Sequence, residues 1–210
     1  MRVLVSGYYG AGNLGDEALL AGLLTGLTAR GHEPVVLSAD PRSTRALHGV
    51  AAVDRYSGLL PALWKADALV SGGGGLLQDA TSGRSLSYYL GTVRLAKALS
   101  KRVVVYGQSL GPLPPRGRAR ARRALAGVPL ALRDQQSVAL AASMGYGSVL
   151  VADPALIMPL PAGATGPVVP AGRTDGPVVL APRGGQEALN AALAALARAL
   201  QADGVPLVAL

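Results

Sequence analysis

Short apolar runs alternate along this chain with amphipathic stretches and glycine-rich punctuation. The runs at residues 2–6, 34–38, 51–54, 68–71, 102–106, 130–132 and 148–151 predict strands. The stretches at 16–29, 41–47, 58–65, 84–99, 116–126 and 135–144 carry helical periodicity and predict helices between them. Regular strand–helix alternation builds a parallel sheet with helices on both faces, so the expected fold is α/β and Rossmann-like. Gly31 and Gly145 each follow a helical pattern, where a C-terminal cap favours a residue free to turn left-handed.

The pattern changes at residues 159–177, where proline and glycine recur without any apolar period, as in an interdomain linker. A strand at 178–182, an Ala/Leu-rich helix at 186–202 and a strand at 205–210 follow. A lone β-α-β unit buries too little surface to stand alone. Residues 1–158 are therefore read as a complete N-terminal domain, and 178–210 as the start of a second α/β domain whose remainder is expected beyond Leu210. Two such domains in tandem would face each other across a cleft, a usual place for a ligand.

Half of the residues are apolar and 15% are charged, which excludes a disordered chain. Phe is absent, so Leu, Val and Ala must fill the core; Cys is absent too, which removes disulfides and thiolate metal sites. The first apolar run is too short for a signal peptide, and no segment approaches the ~18 apolar residues of a membrane span. A cytoplasmic location is expected. The net charge of +8 is carried mostly by Arg, much of it in Arg116, Arg118, Arg120, Arg122 and Arg123. On a helix, 116, 120 and 123 share one face and 118 and 122 a neighbouring one. They form either a solvated face or a patch for an anionic partner, such as lipid head groups at the inner face of the membrane. No aromatics interleave with them, so nucleic acid is not expected.

The chemistry concentrates in four glycine-containing loops, each after a predicted strand. In the first, Gly10, Gly12 and Gly15 satisfy the dinucleotide fingerprint G-x-G-x-x-G between a strand and a helix. A glycine-dense turn also aims helix amides at an anion. Asp16 and Glu17, however, occupy the place of a pyrophosphate, and Asp40 lies farther from the glycines than the usual ~20 residues. Asn13 fits a left-handed turn and Asp16 an ordinary first helical turn. The second loop carries Gly72, Gly73, Gly74 and Gly75 before Gln78 and Asp79. Four glycines cost roughly 0.5–1 kcal/mol each in backbone entropy, which predicts a backbone packed against a ligand or against another loop. The third loop contains Gln108 and Ser109. In the fourth, Arg133 precedes Asp134, a candidate helix cap. Arg133 either pairs with Asp134 or another carboxylate, or grips a phosphate or carboxylate bidentately. His32 and His48 read as structural, and no ligand spacing for a metal is present.

Taken in order, Gly7-Tyr8-Tyr9-Gly10, Gly12-Asn13-Leu14-Gly15-Asp16-Glu17, Gly72–Gly75 with Leu76-Leu77-Gln78-Asp79, Tyr106-Gly107-Gln108-Ser109-Leu110-Gly111-Pro112, Arg133-Asp134 and Asp153-Pro154-Ala155 resemble the polysaccharide pyruvyl transferase family. The likeness covers residues 1–182 and is greatest to the CsaB type, which acts in anchoring bacterial surface layers. It implies two Rossmann-like domains in a glycosyltransferase-B-like arrangement. It also implies transfer of pyruvate from phosphoenolpyruvate to two hydroxyls of a sugar, on a cell-wall polysaccharide or its lipid-linked precursor, giving a cyclic ketal without metal or cofactor. Family members place a histidine and a basic residue in the second domain. Neither His32 nor His48 matches them, so the general acid is expected beyond Leu210.

On this reading Arg133 clamps the donor with Arg84 as a second cation, and Asp16 assists as a base. Asn13, Asp16 and Gln78 orient sugar hydroxyls, and Gly10, Gly12, Gly73, Gly74 and Gln108 shape the binding surface. The competing readings are a nucleotide-sugar glycosyltransferase of the same architecture, an NAD-binding oxidoreductase, and a non-enzymatic glycan- or anion-binding module.

Overall fold

The computed structural model describes residues 1–79, 83–159, 176–180 and 187–209. They fall into two units, one within residues 1–160 and one within 161–210. In the first unit the chain runs β1 (Arg2–Tyr9), α1 (Leu14–Thr28), β2 (Glu33–Ser38), α2 (Pro41–His48), β3 (Ala51–Asp54), α3 (Leu59–Lys65) and β4 (Ala68–Leu77). It continues through α4 (Gly83–Ala98), β5 (Arg102–Leu110), α5 (Pro115–Ala124), β6 (Leu130–Leu132), α6 (Gln135–Ser143) and β7 (Val149–Leu150), and ends in a 3₁₀ turn, Pro154–Ile157.

All seven strands pair in parallel in the order β3-β2-β1-β4-β5-β6-β7. The strand order reverses between β1 and β4, which makes the sheet doubly wound and Rossmann-like. Side-chain alternation divides the core between the two faces. Val3, Val5, Val36 and Val70 pack with Leu20, Leu23 and Leu24 of α1 on one face. Leu4, Leu37, Leu69 and Val105 pack on the other with Leu63, Leu90, Leu125 and Ala141, from α3, α4, the end of α5 and α6.

Three strands run farther than the sequence predicts, because glycine and polar residues past the apolar runs keep their ladder bonds. β1 reaches Tyr9, β5 reaches Leu110, and β4 passes through the whole glycine run to Leu77. Gly72 still pairs with Tyr106, Gly74 with Gln108 and Leu77 with Leu110. The need for glycine comes from α1 and β1. A Cβ on Gly72 would lie 2.7 Å from Leu23 Cδ2, and one on Gly73 3.1 Å from the Tyr9 hydroxyl. Gly73 and Gly74 also hold φ of 76° and 77°.

Helix α1 starts earlier than predicted. Asn13 is extended (φ −97°) rather than left-handed, and its Oδ1 accepts from the N–H groups of Gly15 and Asp16, as an N-cap does. Gly31 and Gly145 do take the left-handed conformation, at φ 70° and 84°. In the second unit β8 (Val178–Leu180), α7 (Glu187–Ala202) and β9 (Leu207–Ala209) form a β-α-β motif with parallel strands. Residues 160–175 of the expected linker lie outside the described residues.

The backs of two glycines lie against the 3₁₀ turn. A Cβ on Gly22 would fall 1.8 Å from the Pro154 carbonyl oxygen, and one on Gly107 2.5 Å from the Pro154 ring. Gly26, one turn along α1, has only ordinary contacts at 3.8 Å. Gly22→Ala should therefore destabilise the protein by about 1–3 kcal/mol through overpacking. Gly26→Ala should stabilise it by about 0.5–1 kcal/mol through helix propensity. Urea melts of the two variants should shift in opposite directions.

Candidate functional site

Open α/β sheets bind their ligands in the crevice outside the carboxyl ends of the strands where the strand order reverses, which in this chain falls between β1 and β4. Tyr9, the last residue of β1, is fully buried there, and its hydroxyl donates to the Gly72 carbonyl at 2.8 Å. Burial drives its pKa far above the ordinary phenol range, with the nearby Asp16 charge adding, so the hydroxyl stays a neutral donor. Asp16, in the first turn of α1, lies against the glycine strand: a Cβ on Gly74 would meet its Oδ1 at 2.9 Å. Its carboxyl accepts no hydrogen bond among the described residues. Burial raises its pKa above the ordinary 3.8, the Glu17 charge adds to the rise, and the Arg133 charge opposes it.

Arg133 follows β6 directly and is held at two nitrogens. Its Nε donates to Ser109 Oγ at 2.9 Å and its Nη1 to Asp153 Oδ2 at 2.8 Å. Ser109 Oγ in turn donates to Asp134 Oδ2 at 2.7 Å. Burial pushes the Asp134 carboxyl upward, but its bonds from Ser109 and Ser137 and the neighbouring Arg133 charge outweigh that and hold it below the usual range. Asp134 also caps α6 by accepting from the Ser137 N–H. Nη2 of Arg133 has no partner among the described residues, and 28% of the side chain is exposed. The two sequence readings of Arg133 are thus compatible: Nη1 pairs with a carboxylate, Asp153 rather than Asp134, and Nη2 is left for a ligand.

Glu17 turns away from this crevice. Its Oε1 accepts from the Gly10 N–H at 2.8 Å, and its Oε2 lies 2.7 Å from His48 Nε2 on α2, with both side chains nearly buried. The amides of Gly10, Gly15 and Asp16 are therefore bonded within the chain, to Glu17 and Asn13. Two of the three fingerprint glycines, Gly10 and Gly15, thus have no free N–H to offer a pyrophosphate.

A family model described as polysaccharide pyruvyl transferase matches residues 13–208. The chain belongs to that family. No curated protein matches it. As a polysaccharide pyruvyl transferase it is an enzyme, and a sugar of a polysaccharide is the acceptor that the family implies.

The transferase brings Asp16 within the electrostatic reach of Arg133 and seats it on Gly74, with Gly73 buried alongside beneath Tyr9 and Leu19, but other expected residues serve different ends. Gln108 is a correction: it is fully buried, because β5 continues through it, and its Nε2 donates to Ser71 Oγ at 2.9 Å. It ties β5 to β4 beneath the site and cannot line a ligand surface. Gly10 turns left-handed to clear Ser38, whose Oγ would sit 2.0 Å from a Cβ, so its close approach is to the end of β2. Gly12 is exposed with open space behind it. Asn13 is exposed and spends its Oδ1 on the cap. Gln78 follows β4, partly buried, and Arg84 is exposed on the first turn of α4.

Sequence reasoning missed the role of Asp153, although an Asp before a Pro is a recognisable helix start. It also missed Tyr9 as a buried strut and Ser109 as the link between Arg133 and Asp134.

The raised pKa of Asp16 has a consequence for stability. The folded transferase holds that proton more tightly than the unfolded chain, so stability is lost as pH rises from 3.8 through the folded value. Asp16→Asn lacks this loss. The variant should melt above the wild type at pH 7, and the gap should close as pH falls below 3.8, a trend measurable by calorimetric melts across pH.

Proposed function

We propose that this transferase moves a pyruvyl group from phosphoenolpyruvate to a sugar of a cell-wall polysaccharide or its lipid-linked precursor, forming a pyruvate ketal. The observation that carries the reading is Asp16 within the electrostatic reach of Arg133: a hydrogen-bond-free carboxyl with a raised pKa, and a guanidinium fixed at Nε and Nη1 with Nη2 unpaired among the described residues. A donor with a phosphate and a carboxylate needs such a fork, and a hydroxyl nucleophile needs such a base.

In this scheme Arg133 Nη2 holds the donor's anionic groups and Arg84 supplies a second cation. Asp16 takes the proton of the first sugar hydroxyl as its oxygen bonds to C2 of the enol, while C3 gains a proton from an acid outside the first unit. The phosphate then leaves C2 with its bonding electrons, and the second hydroxyl adds there and loses its proton to close the ring. Asn13 and Gln78 orient the sugar, while Gly73 and Gly74, buried beneath Tyr9, Leu19 and Asp16, let α1 seat closely enough to place Asp16. No metal or cofactor enters the scheme. The two units belong, on this reading, to a glycosyltransferase-B-like pair of domains.

The reading extends to a cytoplasmic enzyme working at the inner face of the membrane. Helix α5 buries only a spine of small residues, Gly117, Ala121 and Ala124, and exposes Arg116, Arg118, Arg120, Arg122 and Arg123. None of these arginines has a carboxylate partner among the described residues. No described helix is long and apolar enough to cross a membrane. A surface contact through these arginines would bring a lipid-linked acceptor to the crevice.

Two measurements test the proposal on the full-length protein. Calorimetric titration with phosphoenolpyruvate, UDP-sugars and NAD in parallel should give heat with phosphoenolpyruvate, and Arg133→Ala should abolish it in a protein that still melts cooperatively, at a temperature lowered by the loss of its bonds to Ser109 and Asp153. Heat with NAD alone would sink the reading. Sedimentation with phosphatidylglycerol vesicles should carry the protein down at low salt and release it near 0.5 M salt, where charge screening is within a few ångströms. Equal sedimentation with neutral vesicles would refute the contact through α5.

A further inference from the structure

On the face of the sheet opposite α1, three consecutive ring and cation groups meet at its carboxyl edge. Arg55 follows β3, and its Cζ lies 6.0 Å from the ring centroid of Tyr8 and 5.1 Å from that of Tyr56. Both distances fall within the range of cation–π attraction. The backbone of Arg55 is pinned on both sides: its N–H donates to the Ser38 carbonyl at 2.9 Å, and its own carbonyl accepts from the Tyr88 hydroxyl at 2.8 Å. Tyr56 rests edge-on against Tyr88, with centroids 5.5 Å apart at 72°.

This arrangement holds its groups in place but leaves their binding capacity unused. The Arg55 guanidinium makes no hydrogen bond or ion pair among the described residues, and its buried Nε has no partner. The adjacent Asp54 does not neutralise it directly, because that carboxylate accepts from the N–H groups of Tyr56 and Ser57 and from the Ser57 hydroxyl. Tyr56 is 66% exposed and Tyr8 40% exposed, unusual for rings on an otherwise well-packed edge. Tyr88 rests in turn on Tyr89, with centroids 5.0 Å apart, and Tyr8 stands next to last in β1, one loop before Asp16 in the first turn of α1.

Exposed tyrosine faces stack on the apolar C–H face of a pyranose, and a guanidinium with free N–H groups donates to its hydroxyl or acidic substituents. We propose that Tyr8, Arg55 and Tyr56 form the acceptor subsite, a platform that stacks sugar rings of the glycan and presents their hydroxyls toward Asp16. It rests on the pyruvyl-transfer reading and names where the acceptor of that reaction lies. The donor and acceptor are then held by separate arginines, Arg133 for the anionic donor and Arg55 for the sugar.

The test separates the two sites. Saturation-transfer NMR with chitotriose and mannotriose as probes, and calorimetry with phosphoenolpyruvate, are run on the full-length protein and on Tyr56→Ala, Tyr8→Ala and Arg55→Gln. The expected result is a loss of roughly tenfold in trisaccharide affinity in each variant, about 1.4 kcal/mol. Phosphoenolpyruvate affinity and melting temperature should stay unchanged, and Tyr56→Phe, which keeps the ring, should retain the sugar. If either tyrosine variant fails to fold, the other and Arg55→Gln carry the comparison. Unchanged trisaccharide affinity in the variants, or no binding of either probe to the wild type, overturns the platform. Loss of sugar binding without any phosphoenolpyruvate binding in the wild type would uphold the platform and count against the donor reading instead.

Discussion

The close seating of α1 on the glycine strand is the constraint on which the first unit depends. Gly72, Gly73 and Gly74 let the helix and the Tyr9 ring settle directly on the β4 backbone, and the Tyr9 hydroxyl fixes that contact by donating to the Gly72 carbonyl. A Cβ on Gly72 would crowd Leu23 at 2.7 Å, one on Gly73 the Tyr9 hydroxyl at 3.1 Å, and one on Gly74 Asp16 Oδ1 at 2.9 Å, so side chains here would displace these groups. Asp16 would then lift away from Gly74 into water, and its carboxyl would lose the burial that raises its pKa. The electrostatic character of the crevice thus follows from a steric condition, the absence of Cβ atoms in the middle of a strand. The entropy lost by ordering several glycines is the cost of that condition.

Charge is distributed around the crevice by the same economy of contacts. Two adjacent acidic residues on α1 point to opposite environments: Glu17 inward to Gly10 and His48, Asp16 outward to the glycine strand. Arg133 is fixed by a hydroxyl at Nε and a carboxylate at Nη1, so little rotamer freedom remains to be lost when a ligand meets Nη2. Neither arrangement is a surface salt bridge of negligible worth, because each ties separate elements together: α1 to α2 in one case, β6 to the 3₁₀ turn in the other.

Much of this architecture is legible in the sequence. Continuous apolar runs and the 3.6-residue period find every strand and α-helix of the first unit, since the buried strands are Val/Leu runs and the helices carry clear boundaries at Gly58, Asp134 and Gly145; the 3₁₀ turn Pro154–Ile157 is not found. The extensions of β1, β4 and β5 are not legible. Glycine and polar residues look like loop, and only the neighbouring strand reveals that their ladder bonds persist. The site is half legible. Asp16 and Arg133 stand out by residue type beside glycine, whereas the burial of Gln108 depends on how far β5 runs. The inward turn of Glu17 depends on His48 from a different helix, and the Asp153–Arg133 pair spans twenty residues that only the fold brings together.

The inward turn of Glu17 also changes what the glycine fingerprint means in this chain. A carboxylate tethered a few residues from Gly10 occupies that loop amide at an effective concentration in the millimolar range or above, far beyond that of a free metabolite. The chain thus supplies its own resident anion at a position where related folds admit a nucleotide's phosphate. A passing dinucleotide faces a competitor tethered to the chain itself, at the amide where it would otherwise anchor a phosphate.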